Sequence, residues 1–387
     1  MKIPFTKPDI TSAETDAVMA VLRSGWLTSG EVVEQFEETL AIYTEADGAT
    51  CVSSATAGLE LALRLCGVGA GDEVIVPAYT FTATAAAVVH VGATPVAADC
   101  PPDSFNLDAV AVESLINEKT AAVIPVDIGG VLCDYPSIKK ACSNAPVRKR
   151  SGIASRLGRP VVIADAAHSL GAKNQYGKSG VLADISIFSF HAAKNLTTGE
   201  GGAVTWHLPQ WNAGYISEKL KQLSIHGQDK SAWQRRNGSA DYDITCCGYK
   251  ANLTDIQAAI GLSQLSRYDA MLSRRRYITD VYNTELPFGW DKLHHPQGSS
   301  CHLYMALLPK GDEGRRDALL KELADRGVSC SIHYKPLPML TAYKEMGWRE
   351  ADFPNSVALW RREISLPLSS VMTREEAHRV TRLLSKL

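Results

Sequence analysis

Between about residues 50 and 205, short β-branched runs alternate with helix-patterned segments, and this alternation restricts the fold more than any other feature. Glu73–Val76, Thr94–Ala97, Ala121–Val126, Val161–Ala164, Ile185–Phe190 and Ala203–Trp206 read as strands. Leu59, Ala62, Leu63 and Cys66 recur at helical spacing, so that segment buries one stripe. Strands interleaved with helices imply an α/β chain with a mostly parallel sheet covered on both faces. Such sheets bind ligands at the carboxyl ends of their strands. The chemistry is therefore expected in the turns that follow these runs.

Outside this region, Ala13–Leu22 is helix-patterned behind a cap at Thr11 or Ser12. A long helix, straight or bent, is expected from Asn252 to about Asn283, followed by Pro/Gly-rich punctuation from Pro287 to Ser300 where the domain changes. Beyond it come a strand at Leu303–Leu308, a helix at Arg315–Arg326, a short strand at Val328–His333 and a final helix at Arg374–Leu384. The expected division is an N-terminal arm and helix (1–25), a large α/β domain (26–255), and a linking helix with a small α+β C-terminal domain (256–387). The basic stretch Val147–Arg159 lies between a helix and a strand and reads as a solvated loop rather than a polyphosphate site.

Composition excludes several classes. Hydrophobic residues make up 45% and charged residues 21%, as in a globular protein and unlike a disordered chain. Forty basic residues against forty-two acidic ones argue against bulk binding to nucleic acid or to an anionic membrane. Met1–Phe5 carries no apolar signal region, and Thr82–Ala98 is too short and too polar to span a bilayer, so a cytoplasmic protein is expected. Nine cysteines form no CxxC pair and no ligand spacing, which reads as reduced thiols and no metal site.

Three motifs carry chemistry. Phe188-Ser189-Phe190-His191-Ala192-Ala193-Lys194 places a lysine just beyond an apolar strand. A desolvated lysine loses its proton readily, and a neutral amine is what carbonyl condensation needs. Val161-Val162-Ile163-Ala164-Asp165-Ala166-Ala167-His168 delivers an acid at a strand's carboxyl end. Cys51-Val52-Ser53-Ser54-Ala55-Thr56-Ala57-Gly58 opens a helix with small hydroxyl residues, which suits a phosphate. Walker, GxGxxG, HExxH and GxSxG patterns are absent, so nucleoside-triphosphate, dinucleotide, zinc-protease and hydrolase-elbow readings have no anchor.

A phosphate-type helix start, an aromatic loop (Tyr79-Thr80-Phe81), a strand-end Asp and a later lysine form an ordered series. It resembles the fold-type I pyridoxal-phosphate enzymes, and within them the DegT/DnrJ/EryC1/StrS sugar aminotransferases. The likeness runs from Ile3-Pro4-Phe5 and Ser24–Gly30 through Thr254–Leu262 to His333-Tyr334-Lys335-Pro336 and Ser365–Leu368. It implies that Lys194 binds the cofactor covalently and later moves the proton. It further implies that Asp165 pairs with the pyridine nitrogen, that His168 lies beside the ring hydroxyl and that Phe81 stacks on the ring. Ala55, Thr56 and Ser189 match the phosphate contacts. Lys250 matches a residue that reaches the partner subunit's phosphate, and Trp26, Thr28, His333 and Tyr334 match substrate contacts. Asp127-Ile128-Gly129-Gly130 replaces the family's usual His-containing turn.

The resemblance implies a homodimer with shared active sites. It also implies a reaction in which an amino acid, glutamate above all, aminates a nucleotide-linked keto-sugar through the pyridoxamine form. The product would be an aminosugar nucleotide for a surface glycan or glycoside. Two rival readings remain at this point. One is a non-catalytic cofactor- or sugar-binding regulator on the same scaffold. The other is a cysteine desulfurase using Cys246 or Cys247.

Overall fold

The computed structural model describes residues 2–145, 152–236, 238, 240–311 and 313–386. Twelve strands are present among them: β1 (Gly48–Val52), β2 (Glu73–Pro77), β3 (Thr94–Ala98), β4 (Thr120–Val123), β5 (Val161–Asp165), β6 (Lys173–Asn174), β7 (Gly177–Lys178), β8 (Ile185–Ser189), β9 (Gly202–Trp206), β10 (Asp291–Lys292), β11 (Tyr304–Leu307) and β12 (Glu363–Leu366). Seven of them form one sheet in the order β1-β9-β8-β5-β4-β2-β3. Neighbours from β8 to β3 pair in parallel, whereas β9 runs antiparallel to both β8 and β1. The expected α/β fold is present. The six expected strands form within one to three residues of their anticipated ends, and β1 is an addition.

Sequence explains the central strands directly. Each residue of β5 is buried, as is each of β9, so these continuous apolar runs need cover on both faces. One cover is the helix Ala55–Leu65, whose Gly58 allows its approach: a Cβ there would sit 2.9 Å from Ile187 Cγ2. Helix starts follow their caps. Thr11 and Glu14 make a capping box before Ser12–Ser24, and Thr254 and Gln257 make another before Asp255–Leu265.

The long helix expected from Asn252 is two helices, Asp255–Leu265 and Tyr268–Glu285. The chain turns at Arg267, whose guanidinium is tied to Asp9 at 2.9 Å and Glu14 at 3.2 Å, so the N-terminal arm fixes where the break falls. The three-stranded sheet β10-β11-β12 belongs to a separate core that also takes in Ile3, Ile278, Tyr282 and Val380. Val328–His333 is not a strand and makes only single bridges, to Ile3 and to Ser365.

Arg148, Lys149 and Arg150 of the basic stretch lie outside the described residues. Arg159 is no solvated residue, because it makes two 2.8 Å bonds to the buried Asp184. Arg156 lies 4.0 Å from the Trp211 ring centre.

Candidate active site

The turns after β1, β2, β4, β5 and β8 open onto one cavity of about 340 Å³. Ala55, Thr56, Phe81, Asp165, His168, Ser189, Lys194, His333 and Tyr334 all line it, together with Ser54, His302 and Arg275. Residues separated by up to 280 positions in the chain thus converge where a parallel sheet presents its ligands.

Asp165 is the last residue of β5 and is 6% exposed. Its Oδ2 accepts from Thr84 Oγ1 at 2.8 Å, and its Oδ1 accepts from the Ala167 N–H at 3.3 Å. Thr84 has one hydroxyl proton and gives it to Asp165, so it accepts from Thr80 across 3.0 Å. Burial raises the Asp165 pKa; the bonds from Thr84 and Ala167 and the Lys194 charge oppose that rise. A cationic ring nitrogen beside this carboxylate would lower it further.

Lys194 sits in the turn after β8, its backbone N–H donating to the His191 carbonyl at 2.9 Å. Desolvation pulls its ammonium down to about 8, with Asp165 opposing. Near neutrality an appreciable fraction of such an amine is unprotonated and nucleophilic.

His168 is buried and neutral, held well below the ordinary imidazole range by burial and then by the Lys194 and His333 charges. Its Nδ1 accepts from the Gly129 N–H at 3.2 Å, which leaves the ring proton on Nε2 facing Tyr334 Oη at 3.0 Å. The Asp127–Gly130 turn therefore fixes this histidine's tautomer. Gly129 reaches the geometry at φ 63°, and a Cβ there would collide with Leu293. Asp127 anchors the turn by accepting from the Cys133 N–H at 2.9 Å, Tyr135 Oη at 2.8 Å and Ser169 Oγ at 2.6 Å.

At another wall the helix Ala55–Leu65 begins. Ser54 Oγ caps it by accepting from the Ala57 N–H at 3.1 Å, while the Thr56 and Ser189 side chains line the cavity. First-turn N–H groups have no partner inside a helix. Gly202 makes the approach possible: a Cβ there would lie 2.7 Å from both Ala55 N and Ser54 C. Phe81 is 56% exposed and so is no core aromatic, and its ring lies 5.7 Å from that of Tyr334. His333 stacks on Phe5 at 5.2 Å, and its Nδ1 lies 2.9 Å from Ser365 Oγ.

Residues 8–385 match the DegT/DnrJ/EryC1/StrS aminotransferase family. The chain belongs to this family. Spore coat polysaccharide biosynthesis protein SpsC of Bacillus subtilis is 37% identical over 383 residues, covering 97% of this chain and 94% of that protein. The putative sugar aminotransferase Spr1654 from Streptococcus pneumoniae, in its pyridoxamine-phosphate form, superposes with a TM-score of 0.95 at 39% identity, covering 100% of this chain and 97% of that one. Helicobacter pylori PseC, an aminotransferase involved in pseudoaminic acid biosynthesis, gives 0.88 at 28% identity, covering 100% and 99%.

The DegT-family chain is thus a pyridoxal-phosphate-dependent sugar aminotransferase with the fold-type I architecture. Its cavity fits the cofactor by chemistry: an amine of lowered pKa, a buried carboxylate, an open aromatic face and a hydroxyl-lined helix start share one space. Among the described residues no helix is long and apolar enough to cross a membrane.

Three anticipated residues lie elsewhere in this chain. Trp26 packs edge-on against Trp233 at 5.1 Å, with Arg236 over it, in a separate groove. Thr28 is exposed, its carbonyl accepting from the Asp255 N–H at 3.2 Å. Lys250 is exposed and bonded to Asn252 Oδ1. Cys246 and Cys247 are exposed and do not line the cavity.

Thr80, His302 and Arg275 line the cavity without having been anticipated, and Thr84 supports it through its bond to Asp165. Thr84 lies in an Ala-rich stretch with no local signature, and only the pairing of β2 and β5 with β4 brings it to Asp165. Arg275 stands in a run of three arginines, and that run alone cannot say which of them faces inward.

Proposed function

We propose that the acceptor is a keto-sugar carried on a nucleoside diphosphate and that the donor is an α-amino acid, L-glutamate first. The carrying observation is that Lys194 and Asp165 share one small cavity with a helix start suited to a phosphate. The links of SpsC to spore coat polysaccharide and of PseC to pseudoaminic acid support an aminosugar product destined for a glycan.

When bound, pyridoxal phosphate supplies the electron sink that stabilises a carbanion at the reacting carbon. Lys194 would hold the cofactor at its aldehyde carbon and, once the donor's amine takes its place there, the freed amine would carry a proton to or from the reacting carbon; its lowered pKa suits both roles. Asp165, bonded to Thr84, holds a proton at the ring nitrogen. His168 presents its Nε2 side with the proton fixed by Gly129. The Ala55 N–H and the Thr56 and Ser189 hydroxyls hold the phosphate. Phe81 fixes the ring plane and keeps water from that face.

We read Trp26, Thr28 and Lys250 as serving the partner's cavity in a homodimer. The exposure of Thr28 and Lys250 and the absence of all three from the lining of the chain's own cavity support that reading. The large domain (26–255) and the C-terminal part (256–387) both supply cavity walls, the latter through Arg275, His302, His333 and Tyr334.

Mass spectrometry of holoenzyme with L-glutamate and paired free and nucleotide-linked keto-sugars tests the substrate class. Amination of the linked forms alone is expected, and equal amination of the free sugars would refute the linkage. Mixing Lys194→Ala chains with Lys250→Glu chains tests the shared site. Activity should return in the mixed dimers, and verified mixed dimers that stay inactive would refute it.

A further inference from the structure

Glu363 and Ser365 are alternate residues of β12, so their side chains leave the strand on one face. Both are fully buried. The segment that carries His333 lies against that strand. Ser331 and Ser365 exchange backbone bonds at 3.1 and 2.8 Å, which puts His333 opposite Glu363. Three side chains then form a line. Glu363 Oε2 accepts from the His333 N–H at 2.9 Å, its Oε1 meets Ser365 Oγ at 2.5 Å, and Ser365 Oγ meets His333 Nδ1 at 2.9 Å. The half-buried His333 ring lines the cavity, and among the described residues its Nε2 has no partner.

A hydroxyl has one proton to give, so the two ends of this line are coupled. With Glu363 ionised, Ser365 donates to the carboxylate and accepts from His333, whose proton then sits on Nδ1 and whose Nε2 is bare. With Glu363 protonated, the acid proton on Oε1 goes to Ser365, Ser365 donates to Nδ1, and the ring proton sits on Nε2. Passing from the protonated to the ionised state removes one proton. That proton leaves from the cavity side, while the negative charge comes to rest on Glu363.

We infer that Glu363 is a positioning residue that acts through Ser365 on His333, deciding whether His333 offers the cavity a donor or an acceptor at Nε2. A ketone or carboxylate oxygen of a ligand needs the donor form, and a ligand hydroxyl's proton needs the acceptor form. The inference goes beyond the proposed substrates and holds whichever donor or sugar the cavity takes. The surroundings admit both states. No cation pairs with Glu363 among the described residues: Arg316 acts on it from a distance while bonded to Asp317 and to the Trp360 carbonyl. Burial lifts the carboxyl to about 8, against the bonds from Ser365 and His333. Burial, then the Lys194 charge, pulls His333 down to about 4, so its ring is neutral in both states. Burial pushes Tyr79, Tyr334 and Cys330 up and His168 down, so none of these neighbours is charged where Glu363 titrates. Lys194 titrates in the same range, and in the cofactor-loaded protein its amine is taken up by the cofactor.

The test uses holoenzyme carrying ¹⁵N-labelled histidine, with the His333→Gln spectrum to assign the signals. The ¹⁵N shifts of the two ring nitrogens tell a protonated nitrogen from a bare one, and they are followed from about pH 6 to about pH 9.5. His333 should carry its proton on Nε2 at the low end and on Nδ1 at the high end, with the exchange centred at about 8. Glu363→Gln mimics the protonated state. Its carbonyl must take the His333 N–H, so its amide NH₂ faces Ser365, and the proton should stay on Nε2 across the whole range. Ser365→Ala cuts the line, and its His333 should show no exchange at the wild-type midpoint. A single tautomer throughout in the wild type overturns the inference, as does a wild-type exchange in either folded variant. The wild-type titration needs no substitution, so the inference stays refutable if one variant does not fold, and the other then decides whether Glu363 and Ser365 are the cause.

Discussion

Gly202→Ala is a one-methyl change at the first residue of β9, and it should disturb the cofactor site from behind. The new Cβ would lie 2.7 Å from Ala55 N, 2.7 Å from Ser54 C and 2.8 Å from Phe188 O. All three are backbone atoms, so no side chain can rotate away. Reaching ordinary contact at 3.4 Å needs the helix start and β9 to separate by about 0.7 Å. Overpacking of this kind costs about 1–3 kcal/mol, a fall of a few degrees in Tm for a chain of this size. The same movement carries the Ala55 and Thr56 N–H groups off their aim, which should weaken cofactor phosphate binding about tenfold. Gly69→Ala is the control, because its nearest contact would be Val91 O at 3.7 Å. Calorimetric melting of apoprotein and titration with pyridoxal phosphate read the two effects separately. A Gly202→Ala protein that melts and binds like Gly69→Ala would refute the close-packed cradle.

Lys194→Ala should abolish turnover and the visible imine band with little change in Tm; a variant retaining both band and turnover would place the nucleophile elsewhere. Asp165→Asn removes the charge that holds Lys194 up, so the lysine of the apoprotein should titrate below its wild-type position near 8, and single turnover with glutamate should slow by orders of magnitude. A wild-type titration of the amine in that variant would show that the two groups do not interact. Glu363 is buried against the His333 N–H and Ser365 Oγ, and desolvation lifts its carboxyl to about 8. Its folded pKa exceeds its unfolded one, so its contribution to stability is full below about 4.5 and is lost as pH rises through about 8. The Tm of Glu363→Gln relative to wild type should therefore climb across that window, and a flat difference would mean the carboxyl is ionised throughout.

Strand content was readable wherever burial is complete, since β5 is apolar up to its last residue, Asp165, and β9 is apolar but for Thr205. β12 was not, because Glu363 and Ser365 interrupt the run and satisfy each other inside the core at 2.5 Å. The helix break at Arg267 depends on Asp9 and Glu14, more than 250 positions away, and no local window carries it. The site divides similarly. Lys194, Asp165 and the Ser54 helix start stand in local patterns that strand ends and caps explain. Thr84 comes to Asp165, and His302 and Arg275 to the cavity, through sheet order and the packing of the helix Tyr268–Glu285, and their own neighbours in sequence say nothing of it.

The reversed direction of β9 has a dynamic consequence. Because β8 and β9 are antiparallel partners, with Ser189 opposite Gly202, the reactive lysine rides on a closed hairpin rather than a crossover. Both stems of that loop are central strands, the last to open in slow exchange. The lysine's position is thereby uncoupled from local breathing of the C-terminal wall, where His333 and Tyr334 sit. Amide exchange should show the β8 and β9 stems protected to the global limit while the 328–336 segment exchanges through smaller openings.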